Sequence, residues 1–311
     1  MSKWREVRLS DVTELISRGI PPKYVSEGIC VLNQRCIRSF SIDFINARFT
    51  SKDKKYSKNK FLKKGDILIN STGTGTLGRV AIYLDNNPIL VDSHITIVRT
   101  RNDISSSFLA YYLHLIENIL ISMGRGATNQ QELNKSDLEK LKLQIPDIET
   151  QEKIADVLST YDELIENNNR RIEILEKTAE EIYKEWFVRM RFPGHENTKF
   201  EKGIPEGWEV KRVEDLVNRL QAGHFYKEEE LLEEGKVIVI DQSEKEHMGF
   251  HNGEPTHIAN IENPIILFGD HSCKMLLMTR EFSLAENVVP FISNSDSPEL
   301  FLYYSLKRLI K

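Results

Sequence analysis

Gly73-x-Gly75-x-x-Gly78 is the stretch of this sequence closest to a chemical signature. Glycines at that spacing cradle a pyrophosphate when they join a strand to a helix whose N-terminus meets the anion. The preceding DILIN (66–70) reads as a strand, but so does VAIYLDNNPILV (80–91), and the dinucleotide context fails. A phosphate-binding P-loop fails too, since Arg79-Val80 follow Gly78 where a lysine and a hydroxyl residue are required. The kinase spacing G-x-G-x-x-G-x-V fits its strand–loop–strand context, yet neither H-R-D nor D-F-G follows. What remains is a glycine-rich turn carrying Thr72, Thr74, Thr76 and Arg79. Two readings stand side by side. In one, the hydroxyls and the guanidinium touch DNA phosphates or base edges. In the other, the glycines supply the positive φ of a tight turn. Arg79 separates the two.

Other chemistry is sparse. The methyltransferase motif [DNS]-P-P-[YF], H-E-x-x-H and G-x-S-x-G are all missing. Cys30, Cys36 and Cys273 are odd in number and lack zinc spacing, as reduced thiols of a cytosolic chain would. His271-x-Cys273 is too short for a metal site. His94, His224 and His257 read as structural or surface groups. A nuclease carboxylate–lysine cluster stays open, since Asp-x-Lys arises by chance, as at Asp53-Lys-Lys55. No catalytic residue and no metal ligand is assigned.

The elements that must position any such residues fall into three segments, divided at Pro146 and at Pro193-Gly194. The 311 residues suit two domains, and the 40% hydrophobic content suffices for real cores. No apolar run reaches membrane length, and MSKWREVRLS lacks the apolar core of a signal peptide, so a cytoplasmic chain without membrane contact is expected. The net charge of −5 hides an asymmetry. Residues 1–145 carry 22 Lys+Arg against 14 Asp+Glu, whereas 193–311 carry 13 against 21. The basic run Lys52–Lys64 suits phosphate contact or a solvated loop equally. In 1–145, KKGDILIN and RVAIYLD read as strands, Ser105–Ser122 as an amphipathic helix, and Ser136-Asp-Leu-Glu139 as a capping box.

Residues 151–187 contain no Pro or Gly and carry an unbroken heptad seam. It runs through Ile154, Leu158, Tyr161, Ile165, Asn168, Ile172, Leu175, Ala179, Ile182 and Trp186. Thr150 is expected to cap a helix of about 55 Å, whose seam calls for a partner helix. The third segment repeats the first. WREVRLSDV (4–12) matches WEVKRVEDL (208–216), Gly65-Asp66 and Gly269-Asp270 each begin 61 residues after the tryptophan, and FLAYYL (108–113) is echoed in LFLYYSL (300–306). The expectation is α+β: two similar mixed domains, 1–145 and 193–311, joined by a long coiled-coil helix over 146–192. The second copy is incomplete and without a second long helix.

QIPDIETQEKIADVLSTYDELIENNNRRIEILEKTAEEIYKEWFVRMRFPGHE (144–196) closely resembles the central conserved region of type I restriction–modification specificity subunits. Residues 202–216 resemble the start of their second target-recognition domain, 63–84 a segment of their first, and 265–291 their second-domain sequences. The resemblance implies a non-catalytic subunit whose two domains each read half of a split site in double-stranded DNA. It implies antiparallel spacer helices and docking of methyltransferase (M) and restriction/translocase (R) subunits, with S-adenosylmethionine, ATP and Mg on those partners and no cofactor on this chain. A C-terminal truncation departs from that pattern, and a cut gene, a fragment or a half-subunit that dimerises would each account for it. Self-association through the 151–187 helix as a half-subunit dimer would replace the missing helix, with Asn168 near the midpoint setting register. A pure coiled-coil scaffold or an inactive remnant is the alternative. Candidate DNA contacts are Asn33, Arg35 and Arg38 of NQRCIR, Lys54 and Lys55, Thr72, Thr74, Thr76 and Arg79 of the glycine loop, and His271 and Lys274 after Gly269-Asp270.

Overall fold

The computed structural model describes residues 4–73, 75–126, 131–243, 245–294 and 297–310, so Thr74 lies outside the described residues. The chain divides into two compact units, Met1–Asn169 and Arg170–Lys311. Each is a mixed α/β domain.

In the first unit a four-stranded sheet runs in the order Thr13–Arg18, Ile95–Thr100, Ile67–Asn70, Val80–Ile82, all antiparallel. Side chains alternate between its faces. Ile67, Ile69, Val80 and Val98 enter a cluster with Phe108, Leu109 and Leu113 of helix α1 (Ser106–Leu115). Leu68, Ala81, Ile95 and Ile97 enter another with Leu32, Ile37 and Val91. Both faces are buried, which is why Ile67–Ile69 is a continuous apolar run. A second sheet, ordered Leu90–Val91, Ile29–Leu32, Arg48–Thr50, Tyr24–Val25, begins with a parallel pair. At the start of Ile67–Asn70, the fully buried Asp66 accepts two hydrogen bonds from Arg99, at 2.7 Å from Nε and 2.6 Å from Nη2. Arg99 Nη2 also donates to the Phe61 carbonyl at 3.1 Å.

The second unit repeats this topology. Its larger sheet is ordered Val217–Arg219, Val288–Ser293, Ile265–Gly269, Met275–Met278. In the smaller one, Val237–Ile240 pairs parallel with Phe282–Leu284 and antiparallel with Gly249–His251. Ile265 and Leu267 face the cluster between the sheets, and Ile266 packs against Leu302 of helix α5 (Glu299–Leu309). Backbone hydrogen bonds fix the correspondence. Asn70 N–H donates to the Arg79 carbonyl (2.9 Å) as Gly269 N–H does to that of Lys274 (2.8 Å). Ser71 N–H donates to the His94 carbonyl (2.8 Å) as Asp270 N–H does to that of Asn287 (2.9 Å).

Several sequence expectations change. Gly65-Asp66 precedes its strand while Gly269-Asp270 ends the equivalent one, so the matched spacing of 61 joins non-equivalent residues. Caps Ser105 and Pro298 align Phe108 with Phe301 and Tyr111 with Tyr304, one residue away from a match of the tyrosine pairs. The expected helix over 105–122 breaks at Ile116 into α1 and α2 (Glu117–Ser122). Helix α3 (Lys135–Glu139) starts from Asn134, so Ser136 lies inside it and caps nothing. Arg5–Arg8 pairs with Lys142–Ile145, whereas 209–212, its repeat, forms no strand among the described residues.

Helix α4 spans Ile148–Tyr183 and continues as a π-turn over Lys184–Val188. Asp147, and not Thr150, caps it: its carboxylate accepts the Thr150 N–H at 2.9 Å, which lowers the Asp147 pKa. Fully buried Gln151 moors the first turn, accepting from Ser105 N–H (3.1 Å) and donating to the Pro146 carbonyl (2.9 Å). Of the seam, Ile154 packs on the first core, whereas Leu158, Tyr161, Ile165, Ile172, Leu175, Ile182 and Trp186 are exposed. Among the described residues no helix is long and apolar enough to cross a membrane.

Two stability predictions follow from these cores. Removing one member of a buried ion pair strands the other, at a cost of about 3–5 kcal/mol, against about 0–1 for an exposed pair. Asp66→Ala is expected to lose the larger amount in urea denaturation, and Glu6→Ala, at the exposed Lys142 pair, the smaller. Comparable losses for both would show that burial at Asp66 confers nothing. In the second unit His251 and His257 are buried. His251 Nδ1 accepts the Gly253 N–H (3.1 Å) and its Nε2 lies 2.9 Å from Ser283 Oγ, a pairing that suits the neutral ring. His257 Nε2 donates to the Gln221 carbonyl at 3.0 Å. Burial lowers both pKa values, with nearby His224 adding to the effect at His251. Above about pH 6.5 both folded and unfolded forms are neutral; below it the unfolded chain takes up protons that the folded chain refuses. Stability of this unit, followed by Trp208 fluorescence, should therefore fall from about pH 6.5 downward, less steeply in His251→Asn. An identical acid slope in that variant would remove His251 from the account.

Candidate nucleic-acid interface

The glycine loop between Ile67–Asn70 and Val80–Ile82 is first of all a turn. Gly73, Gly75 and Gly78 have φ of +109°, +72° and +80°. A Cβ on Gly73 would lie 2.6 Å from Gln34 Oε1, and one on Gly78 2.8 Å from Ile121 Cγ1. Positive φ and close approach both require glycine there. A strand, Val80–Ile82, follows the loop, so the glycines do not lead into a helix. Arg79 has at least a structural role: Nη2 donates to the Gly75 carbonyl (2.7 Å) and Nη1 to that of Ile37 (3.4 Å). Thr76 Oγ1 donates to the Thr72 carbonyl at 3.3 Å.

The Thr72 side chain meets two neighbouring loops. Its Oγ1 lies 2.5 Å from His94 Nδ1 and 3.4 Å from Gln34 Oε1. Gln34 follows Ile29–Leu32 and His94 follows Leu90–Val91, so three loops converge at one end of the two sheets. The loops that carry Gln34 and His94 border a cleft of about 440 Å³, lined among others by Gln34, Arg35, Asn46, Arg48, Asp92 and His94. Arg48 lies over the Tyr24 ring, 4.9 Å from its centroid. Buried Asp92 accepts the His94 N–H at 2.9 Å and the Tyr24 hydroxyl at 3.4 Å. Burial raises the Asp92 pKa, and the His94 N–H partly offsets that. Burial, then Asp92, raises that of Tyr24.

The remaining candidates distribute unevenly. Asn33 is a cap whose carboxamide is engaged at both ends, Oδ1 accepting from Arg35 N–H (2.9 Å) and Nδ2 donating to the Asn46 carbonyl (2.6 Å). Arg35 stays exposed in the cleft, and Arg38 is exposed on the hairpin of Ile37–Arg38 with Ser41–Ile42. Lys54 and Lys55 are exposed on a separate loop, Lys54 over Tyr56 at 5.5 Å. In the second unit the hydrogen-bond correspondence makes His271 the counterpart of Thr72 and Lys274 that of Arg79. Lys274 Nζ donates to the Ser243 and Lys245 carbonyls, both at 2.6 Å, so it pins its loop as Arg79 does. Gln242, the counterpart of Gln34, accepts the His271 N–H at 3.0 Å. Of the residues gathered here, the sequence did not single out Gln34 and Arg48, and His94 read as a structural or surface group. The pair VLNQ (31–34) and VIDQ (239–242) was the available signal, since both end a buried strand with a glutamine.

Three comparisons bear on this arrangement. The model of the type I restriction modification DNA specificity domain matches residues 1–177. The chain is 29% identical over 250 residues to the type I restriction enzyme MjaIX specificity subunit of Methanocaldococcus jannaschii, covering 76% of this chain and 57% of that protein. It is 31% identical over 204 residues to the HindI specificity subunit of Haemophilus influenzae, covering 60% and 41%. It thus spans well under two thirds of either relative's length. The crystal structure of a type I restriction-modification system S subunit from M. genitalium shares the fold, with a TM-score of 0.61, 18% identity, and coverage of 99% of this chain and 77% of that one. With more than half of its length matched, the chain belongs to the type I restriction modification DNA specificity domain family.

Proposed function

We propose that this chain is a DNA sequence-specificity subunit of a type I restriction–modification complex, and that each unit reads one part of a split duplex site. The observation that carries this is the repeat itself: both units bring the same three loops together with the same backbone hydrogen bonds, but with different side chains. Thr72 and His94 in the first unit stand where His271 and Asn287 stand in the second. Two like scaffolds bearing unlike side chains suit two different half-sites, since base edges are read by side chains while backbone contacts fix position. The chain itself is read as non-catalytic. Methyltransferase and restriction subunits would dock on it and bring S-adenosylmethionine, ATP and Mg. The exposed seam of α4 favours a helical partner, either from another chain or from a second copy pairing antiparallel about Asn168.

The test is a selection from random duplex DNA, with the full chain co-expressed with its methyltransferase subunit. Enrichment of a split site with two defined parts is the expected outcome. A palindrome of one half-site would mean that two copies assemble and one unit of each reads. No enrichment from an assembled complex would refute DNA reading by this chain and leave the scaffold reading.

A further inference from the structure

The first unit carries a tip that the second lacks. In the smaller sheet of each unit the same antiparallel pair recurs: Val31 lies opposite Arg48 as Val239 lies opposite Gly249. The chain joining those strands is residues 33–47 in the first unit but only 241–248 in the second. The longer segment is folded and tied down. Cys36 and Ile37 are fully buried, and Ile37–Arg38 pairs with Ser41–Ile42. Asn33 Nδ2 donates to the Asn46 carbonyl at 2.6 Å, and Asp43 N–H to that of Cys36 at 2.8 Å. Near its end the turn Phe44–Asn46 holds a half-exposed Phe44 and an Ile45 that is 92% exposed. A lone exposed isoleucine is ordinary on a surface. This one lines the cleft together with Arg35 and Arg48, on a turn anchored at both ends.

Asp43 fixes what the turn presents. Its Oδ1 accepts the Ile45 N–H at 2.8 Å, and its Oδ2 accepts from Asn46 Nδ2 at 3.2 Å. A carboxylate only accepts, so the carboxamide nitrogen faces Asp43, an assignment made from the hydrogen-bond network. Asn46 Oδ1 is left without a partner among the described residues. An apolar group and a hydrogen-bond acceptor thus stand on consecutive exposed residues of the cleft lining. The surround is cationic: Arg35, Arg38 and Arg48 are exposed, the Asp43 carboxylate is engaged within the turn, and Asp92 is buried. Duplex DNA offers the complement to all three features. It has phosphates for the arginines, and an A·T pair shows the thymine C5-methyl group and the adenine N6 amino group in its major groove. We propose that this turn reads an A·T pair, with Ile45 packed on the thymine methyl and Asn46 Oδ1 accepting from adenine N6. The proposal rests on the DNA-reading function above. A cytosine methylated at C5 would show a methyl and an amino group as well, and the test separates the two sources.

The full chain with its methyltransferase subunit is selected against random unmodified duplexes. Binding to the enriched duplex is then measured with thymines replaced singly by uracil, which lacks the methyl, and adenines singly by purine, which lacks the amino group. The expected result is one A·T pair at which uracil weakens the wild type about 3- to 5-fold, the worth of one apolar methyl contact, and adds little in Ile45→Ala. Purine opposite it weakens the wild type about 2- to 12-fold and adds little in Asn46→Ala. Ile45→Leu, which keeps an apolar side chain, should retain most of the uracil effect. Unchanged thermal melting in these variants excludes misfolding. Uniform weakening of Ile45→Ala and Asn46→Ala on all sequences, with an unchanged motif, would make the contact sequence-independent and overturn the A·T assignment while leaving DNA reading intact. A sensitive position that is C·G and binds better when methylated at C5 would also overturn it. So would unchanged DNA binding by Ile45→Ala with loss of the methyltransferase subunit from the complex, which would make the turn a protein-docking tip. No motif at all would overturn both the assignment and DNA reading.

Discussion

The strand Ile67–Asn70, buried on both faces, constrains the first unit more than any other element. Its apolar side chains must enter two different clusters, so neither face of the sheet is open to a ligand. Polar function is pushed to the strand end, where Ser71 N–H donates to the His94 carbonyl and the glycine loop begins. The second unit obeys the same constraint through Ile265–Gly269, and its polar loops gather at the equivalent end. The site lies where burial stops.

The loop at that end shows how structural and functional demands divide among neighbouring residues. The glycines are fixed by positive φ and by contact with Gln34 and Ile121. Arg79 and Lys274 look like DNA contacts because they are basic and sit beside the loop, but carbonyls of adjoining segments take up their side-chain donors. A basic residue tied down in this way stiffens the loop. Arg35 and Arg48, which opens the strand Arg48–Thr50, line the cleft and have no such partners among the described residues.

Local pattern was therefore enough for some of the elements but insufficient for the contacts among them. The apolar run before the glycines, the unbroken heptads of α4 and the tryptophan-led repeat were all legible, because each is a periodicity or a spacing within one stretch of chain. The equal distances to Gly65-Asp66 and Gly269-Asp270 misled because intervening loops differ in length, which brought a residue before one strand level with a residue after its counterpart. Thr150 was a plausible cap, yet Asp147 lies one residue before the first helical position and its carboxylate reaches the orphan N–H. His94 stands apart in the chain from both Gln34 and Thr72, and only the sheet order brings the three together. That is a tertiary fact with no local trace.

The seam of α4 explains why a helical partner suits it better than a domain surface would. From Ile154 to Trp186 the apolar positions repeat every 3.5 residues, whereas a straight helix turns once every 3.6. The mismatch is about 20° per heptad, so over these positions a straight helix would carry the seam roughly a quarter-turn around its axis. A flat surface would meet one end of such a stripe and miss the other. A second helix supercoiled with the first follows it throughout, burying side chains such as Ile165, Ile172 and Leu175 that the chain alone leaves exposed. A cofolded partner of that kind would also stiffen the stretch in which the two compact units meet in sequence, Asn169–Arg170.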